Sequence, residues 1–127
     1  METKKTIYDL HEDHKIWLNK LAFYKDDLAI MKNRISEIAS KNTSNEVLAQ
    51  VEHFQNQLIV QKENIDTLHH EIGVHETGLR AEVNKNETAI DHKRFADHTS
   101  ARAEMESFEK TFNDLRKELI HFLAKWM

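Results

Sequence analysis

The chain has 127 residues, a formal net charge of −4, and neither cysteine nor proline. This length allows one domain with a real hydrophobic core and is too short for two ordinary domains. Without cysteine there is no disulfide framework, no thiolate metal site and no cysteine nucleophile. With 31% charged residues and only two glycines, the composition favours long helices.

Charge and hydropathy also narrow the classes of partner. Eighteen basic side chains stand against 22 acidic ones, and no basic cluster lies on one face, which argues against a nucleic acid. No apolar run approaches the roughly 18 residues of a membrane span, and the first residues lack the apolar stretch of a signal peptide. We therefore expect a cytoplasmic protein that binds neither nucleic acid nor membrane.

The first predicted element is a helix over about residues 4–41. Its apolar residues recur alternately three and four positions apart, which is the heptad pattern in which positions a and d form one seam. The polar stretch SKNTSNE that follows is rich in capping residues and predicts a turn. The first seam contains Ile7, Leu10, His14, Trp17, Leu21, Tyr24, Leu28, Met31, Ile35 and Ile38.

Two further seams predict helices over about residues 45–83 and 87–126. Asn84 and Asn86 provide a stop and a cap between them. The second seam contains Val47, Val51, Phe54, Leu58, Gln61, Ile65, Leu68, Ile72, His75 and Leu79. The third contains Asp91, Arg94, His98, Ala101, Met105, Phe108, Phe112, Leu115, Leu119, Phe122 and Trp126.

The register of the three seams predicts how the helices pack. On antiparallel helices joined by tight turns, the sequence numbers of two facing residues add up to a constant. The first and second seams satisfy this relation, and so do the second and third. It places Leu28, Leu58 and Phe112 in one layer. We predict an all-α fold, a single domain over residues 1–127, built as an up-down-up antiparallel three-helix bundle with coiled-coil-like heptad packing. This architecture resembles that of spectrin-like repeats, but no sequence motif of that family is present, and a three-helix bundle implies no function.

The same register collects histidines inside one end of the bundle. His14, His75 and His98 come from three different helices, and Glu71 lies one helical turn before His75. Such side chains can converge on zinc or another first-row divalent metal in a bundle core. We therefore predict a candidate metal site of His14, Glu71, His75 and His98, with Asp91 orienting an imidazole.

This polar layer has a second interpretation, which the sequence leaves open. A buried histidine can bond to a carboxylate or to water, and a polar layer can fix the register of a coiled coil at a cost in stability. The local stretch LHHEIGVHE (68–76) is not a chelating motif, because His70 and His75 are about 140° apart round a helix. The histidines expected in solvent or at the boundary are His11, His53, His69, His70, His92 and His121, with His11 at the edge of the seam.

No catalytic residue is predicted, because the sequence offers neither a nucleophile and base in a defensible arrangement nor a glycine-rich phosphate loop. Tyr24 and Gln61 fall in one layer of the register. We expect a hydrogen bond between them, because buried polar groups are usually paired.

A second apolar stripe runs along the first helix, away from the seam. It consists of Ile16, Phe23 and Ile30, seven residues apart, and Ile59 and Val60 lie at a similar height on the second helix. Isolated exposed apolar residues are common, whereas contiguous patches usually mark an interface. The stripe predicts a non-catalytic interaction or scaffold protein, a homo-oligomer or one that binds a partner helix. Metal binding at the polar end is the alternative function.

Overall fold

The computed structural model describes the backbone of residues 7–83 and 92–127 and the side chains of residues 7–81 and 96–127. Three long helices make up these ranges: α1 (Ile7–Lys41), α2 (Asn45–Val83) and α3 (His92–Trp126). They pack against one another as an up-down-up bundle, which confirms the predicted fold class. The predicted starts of the first and third helices lie outside the described residues.

The turn between α1 and α2 is built from three residues with polar caps. The side-chain amide of Asn42 donates to the Ile38 carbonyl at 2.9 Å, which satisfies a carbonyl that the last turn of α1 leaves unpaired. On the other side, the Leu48 amide donates to the Ser44 carbonyl at 3.0 Å and begins the hydrogen bonding of α2. This short connection makes α1 and α2 antiparallel neighbours.

The heptad seams form the core. Of the predicted seam residues whose side chains are described, all are buried except Tyr24, His75 and Trp126, which are partly buried. The layer of Leu28, Leu58 and Phe112 is 6%, 6% and 0% exposed. Full burial of one such side chain stabilises the fold by about 1.5–3 kcal/mol, so the seams supply most of the favourable free energy.

A layer of histidines interrupts this core near one end. His14 and His98 are 2% and 4% exposed. Beyond them, the described residues Ile7, Leu10 and Leu79 form an apolar cluster that is separate from the main core. The predicted polar end of the bundle is therefore present, and apolar packing continues on both sides of it.

Three ion pairs follow one another along the edge between α1 and α3. They join position g of α1 to position e of α3, the two heptad positions that flank the seam and commonly carry interhelical ion pairs. Successive pairs lie seven residues further along both helices, as expected for parallel neighbours in register. The pairs are Asp13 with Arg102 at 2.6 Å, Lys20 with Glu109 at 3.2 Å, and Asp27 with Arg116 at 3.5 Å.

The predicted hydrogen bond between Tyr24 and Gln61 is not formed. Gln61 is 2% exposed, and its Oε1 atom has no hydrogen-bond partner in the part of the chain that the structure describes. The Tyr24 ring packs instead against two aromatic rings of α3, with centroids 5.6 Å from Phe108 and 4.6 Å from Phe112. Aromatic packing thus fixes the orientation of Tyr24, and the buried amide remains unsatisfied.

No helix in the part of the chain that the structure describes is long and apolar enough to cross a membrane.

Candidate functional site

Two buried histidines lie beside each other at the polar end of the bundle. The ring centroids of His14 on α1 and His98 on α3 are 5.2 Å apart. Both rings contact the Trp17 indole, at centroid distances of 5.7 and 4.9 Å. The parallel register of α1 and α3 brings the two rings together, because both residues occupy position a. At this depth each imidazole needs a hydrogen-bond partner within the protein.

Glu76 of α2 is the partner of His14. Its Oε1 atom accepts a hydrogen bond from His14 Nδ1 at 2.9 Å. Its Oε2 atom lies 2.6 Å from His11 Nδ1 and 3.1 Å from Arg80 Nε. The Glu76 side chain is only 12% exposed, and these donors replace the water that it loses. An ionised carboxylate can only accept, so the proton of neutral His14 lies on Nδ1.

Asp13 of α1 is the partner of His98. Its Oδ2 atom accepts hydrogen bonds from His98 Nε2 at 2.9 Å and from the Arg102 guanidinium at 2.6 Å. The proton of neutral His98 therefore lies on Nε2. The two imidazoles are thus each oriented by a carboxylate from a neighbouring helix.

The pKa values of the two histidines and the two carboxylates are all lowered, but for different reasons. Burial lowers the pKa of His14 and of His98, and the hydrogen bonds to Glu76 and Asp13 oppose this without overcoming it. Burial raises the pKa of Asp13 and of Glu76, but hydrogen bonds from histidine and arginine outweigh it, so both values are lowered. At neutral pH the imidazoles are therefore neutral and the carboxylates ionised.

One nitrogen of each buried ring has no hydrogen-bond partner among the described residues. His14 Nε2 and His98 Nδ1 are fully buried and form no hydrogen bond. In the tautomers set by the carboxylates, both atoms carry a lone pair. His75 lies nearby, with its ring centroid 6.4 Å from that of His14. The space that these three rings enclose with Leu10 and Leu79 is too small for a water molecule. The arrangement leaves two imidazole nitrogens with free lone pairs, each of which can accept a proton.

The structure brings three of the four predicted metal ligands together and places the fourth elsewhere. Glu71 faces Glu104 of α3, and this carboxyl contact, with a smaller effect of burial, raises the pKa of Glu104. Among the described side chains, those of residues 7–81 and 96–127, no group of three or more His, Asp or Glu is arranged to hold a metal ion. Asp91, the predicted orienting residue, lies outside the described residues. Metal binding therefore stays a prediction.

The carboxylates that actually hold the histidines were missed in the sequence. Asp13 precedes His14 at position g, and Glu76 follows His75 at position e. Glu76 and not Glu71 reaches His14, because position e of α2 faces α1 whereas position g faces α3. A search for opposite charges at the e and g positions would have found the pair of Asp13 and Arg102.

The other histidines lie outside the core. His11 is partly buried at the edge of the seam, where it bonds to Glu76. The side chain of His92 is not described. The exposed ones are His53, His69, His70 and His121.

No known protein family, curated protein or solved structure matches this chain. The geometry of the chain itself is therefore the basis for a functional proposal.

The five predicted interface residues are all exposed, but they lie on different faces. On α1, Ile16, Phe23 and Ile30 are 49%, 60% and 56% exposed, and on α2, Ile59 and Val60 are 58% and 45% exposed. The α1 residues each lie one turn after a position g that pairs with α3, so they border the α3 side of α1. Ile59 instead lines a groove between α1 and α2.

Proposed function

We propose that the protein is a non-catalytic interaction module that self-associates through the apolar stripe of α1, defined by Ile16, Phe23 and Ile30. The observation that carries the proposal is the exposure of these three large side chains at heptad spacing. Seven residues advance an α-helix by about 10 Å with little rotation, so the stripe is a straight apolar line about 21 Å long. Such a line supplies one of the two apolar positions per heptad at which a further helix packs.

The stripe is suited to packing against a copy of itself. In an antiparallel arrangement with Phe23 on the two-fold axis, Ile16 of one copy faces Ile30 of the other, and the two stripes overlap over their whole length. A two-fold interface uses the same surface on both copies, so no second complementary surface is required. The second copy would therefore contribute the helix that α1 lacks on this side.

The charges beside the stripe also support the antiparallel arrangement. Position g flanks the stripe on one side, and like positions meet across an antiparallel pair. Asp13 of one copy would then approach Arg34 of the other, and Lys20 would approach Asp27. Each pair combines opposite signs, which favours this antiparallel register.

Molar mass in solution tests the proposal. We expect the wild type to show a mass that rises with concentration above the 15.0 kDa of one chain, and Phe23→Glu to remain a monomer, because a charge on the two-fold axis would be buried twice. Val74→Glu is the matched control, since Val74 is 57% exposed on α2. Light scattering or sedimentation equilibrium gives the mass. A wild type that is monomeric at every concentration, or a control that dissociates equally, would contradict the proposal.

The second candidate function is metal binding at the polar end. It is favoured by the two carboxylate-oriented imidazoles, each with an unpartnered nitrogen, which is how metal-ligating histidines are usually held. His75 or Glu71 would have to rotate to complete the ligand set. We expect zinc to raise the melting temperature of untagged protein, and less so that of His98→Gln. Metal-free protein whose melting is unmoved by zinc would exclude this function.

A further inference from the structure

A second apolar surface lies in the groove between α1 and α2, on the opposite side of α1 from the stripe. Its floor consists of Leu28 and Ala29 of α1 and of Leu58 and Ile59 of α2, and its volume is about 470 Å³. Leu28 and Leu58 belong to the core, whereas Ile59 is 58% exposed. The groove is therefore continuous with the core, and the described residues leave it open to solvent.

The rim of the groove is positively charged. Lys25, Lys32 and Lys62 line it, and none of its nine lining residues is acidic. This is a local reversal of charge in a chain whose formal net charge is −4. Lys25 lies 3.5 Å from Asp66, but Lys32 and Lys62 form no ion pair within the described residues. An occupant with negative charge beside an apolar face would pair with these lysines and cover the floor at the same time.

The shape of the groove favours a helix as occupant. The space lies between two antiparallel helices whose other side is covered by α3, so a helix seated in it would complete a four-helix arrangement. On the α1 side the positions bordering the groove are small, with Ala22 and Ser36 one heptad before and after Ala29. Small side chains at a contact allow two helix axes to approach closely.

We propose that the groove between α1 and α2 binds an amphipathic helix of another protein, with acidic residues flanking its apolar face. The apolar face covers Ile59 and Ala29, and the acidic residues pair with Lys32 and Lys62. A second copy of this chain is a poor occupant, because packing the groove on its two-fold copy brings lysines against lysines. The binding site is separate from the stripe and does not depend on self-association.

The test uses two synthetic helical peptides of about three heptads, with leucine at positions a and d. One peptide carries glutamate at the flanking positions and the other carries lysine. Fluorescence anisotropy of each labelled peptide is measured against wild-type protein and against Lys32→Glu/Lys62→Glu. The matched control is Lys110→Glu/Lys117→Glu, which makes the same change in net charge at exposed positions of α3. Circular dichroism checks that each variant retains its helices.

We expect the glutamate peptide to bind wild type and control within about twofold, and the groove variant at least about tenfold more weakly. The lysine peptide should prefer the groove variant, because the charges are then reversed. Raising the salt concentration should weaken binding to the wild type, since exposed charges are screened.

Four results would overturn the proposal. The first is that neither peptide binds the wild type, and the second is that the α3 control weakens binding as much as the groove variant. The third is that the groove variant alone converts a dimer to a monomer, which would assign the groove to a second copy. The fourth is that phosphatidylglycerol vesicles bind the wild type while the glutamate peptide does not. Repeating the titration with Phe23→Glu separates this proposal from self-association, because that variant should bind the peptide normally.

Discussion

At the scale of single residues, Gln61 is a buried amide that the fold does not satisfy. Its side chain lies in the core with an unpartnered carbonyl oxygen. An unpaired buried polar group costs about 1–3 kcal/mol, and an apolar side chain of similar size removes that cost. The seam therefore contains one residue, Gln61, whose burial lowers the free energy of unfolding.

Replacing this amide should stabilise the protein. We expect Gln61→Leu to raise the free energy of unfolding by about 1–3 kcal/mol, measured by urea denaturation. Gln55→Leu, at an exposed position of the same helix, should change it by no more than about 0.5 kcal/mol. A destabilised Gln61→Leu protein would mean that the amide has a partner, such as a bound water, that compensates its burial.

The histidine pairs make stability depend on pH. Folding lowers the pKa of His14 and His98, so their contribution is complete above the unfolded value of about 6.5 and is lost as the pH falls toward the folded values. Asp13 and Glu76 also have lowered values, so their contribution persists to lower pH and is lost below the unfolded value of about 4. Acidification should therefore lower the free energy of unfolding in two successive steps.

The melting temperature should therefore fall between pH 7.5 and pH 5 and fall again below about pH 4. Circular dichroism at 222 nm measures helix content and can therefore give the melting temperature at each pH. His53→Gln, which changes an exposed histidine, should leave the profile unchanged. A melting temperature that stays flat from pH 7.5 to 5 would show that the two rings are solvated.

At the scale of elements, the ion pairs between α1 and α3 select the register in which the two helices pack. Each pair is partly exposed, and such pairs contribute only about 0.2–1 kcal/mol. Their signs alternate along α1, as Asp13, Lys20 and Asp27. A shift of α3 by one heptad would therefore set like charges opposite each other, so the row selects one alignment at little gain in stability.

A charge exchange at the middle pair tests this role. Lys20→Glu alone should lower the free energy of unfolding by about 0.2–1 kcal/mol, because the introduced carboxylate would face Glu109 of α3, and adding Glu109→Lys should restore most of the loss. The double-mutant cycle is measured by urea denaturation at low and at physiological salt. Simple additivity of the two changes would show that the pair has no interaction energy.

The sequence predicted the elements well because their signal is local. Three heptad seams specify which face of each helix is buried, and the described side chains, those of residues 7–81 and 96–127, follow these seams. The carboxylate partners were harder to predict, since Glu71 and Glu76 both lie next to the seam and only the side on which each neighbouring helix packs distinguishes them. The pairing of Tyr24 with Gln61 failed for a similar reason, because a shared layer fixes height along the axis but not the direction of a ring.

At the scale of the whole molecule, α1 separates two apolar surfaces of different character. The stripe has mixed charges beside it and borders α3, whereas the groove is rimmed by lysines and borders α2. Self-association through the stripe would leave both grooves of a dimer free. The protein would then join two acidic helices, which is the behaviour of a bivalent adaptor.

A tandem probe tests this consequence. Two glutamate peptides joined by a long flexible linker should bind wild type more tightly than one peptide does, because the second binding event is intramolecular. The gain should disappear with Phe23→Glu, although that variant still binds the single peptide. An equal gain for both proteins would indicate that the two grooves do not belong to one dimer.

The histidine layer also lies between two separate apolar clusters of the described residues. Of the described apolar side chains, most belong to the main core, and Ile7, Leu10 and Leu79 form a separate cluster beyond the layer. The described residues on that side of the layer bury less apolar surface than those around Phe112, so their backbone amides should exchange with solvent sooner. Protonation of His14 or His98 would favour local opening there, because a charged imidazole is costly to bury. Mild acid should therefore open this end of the bundle before the main core unfolds.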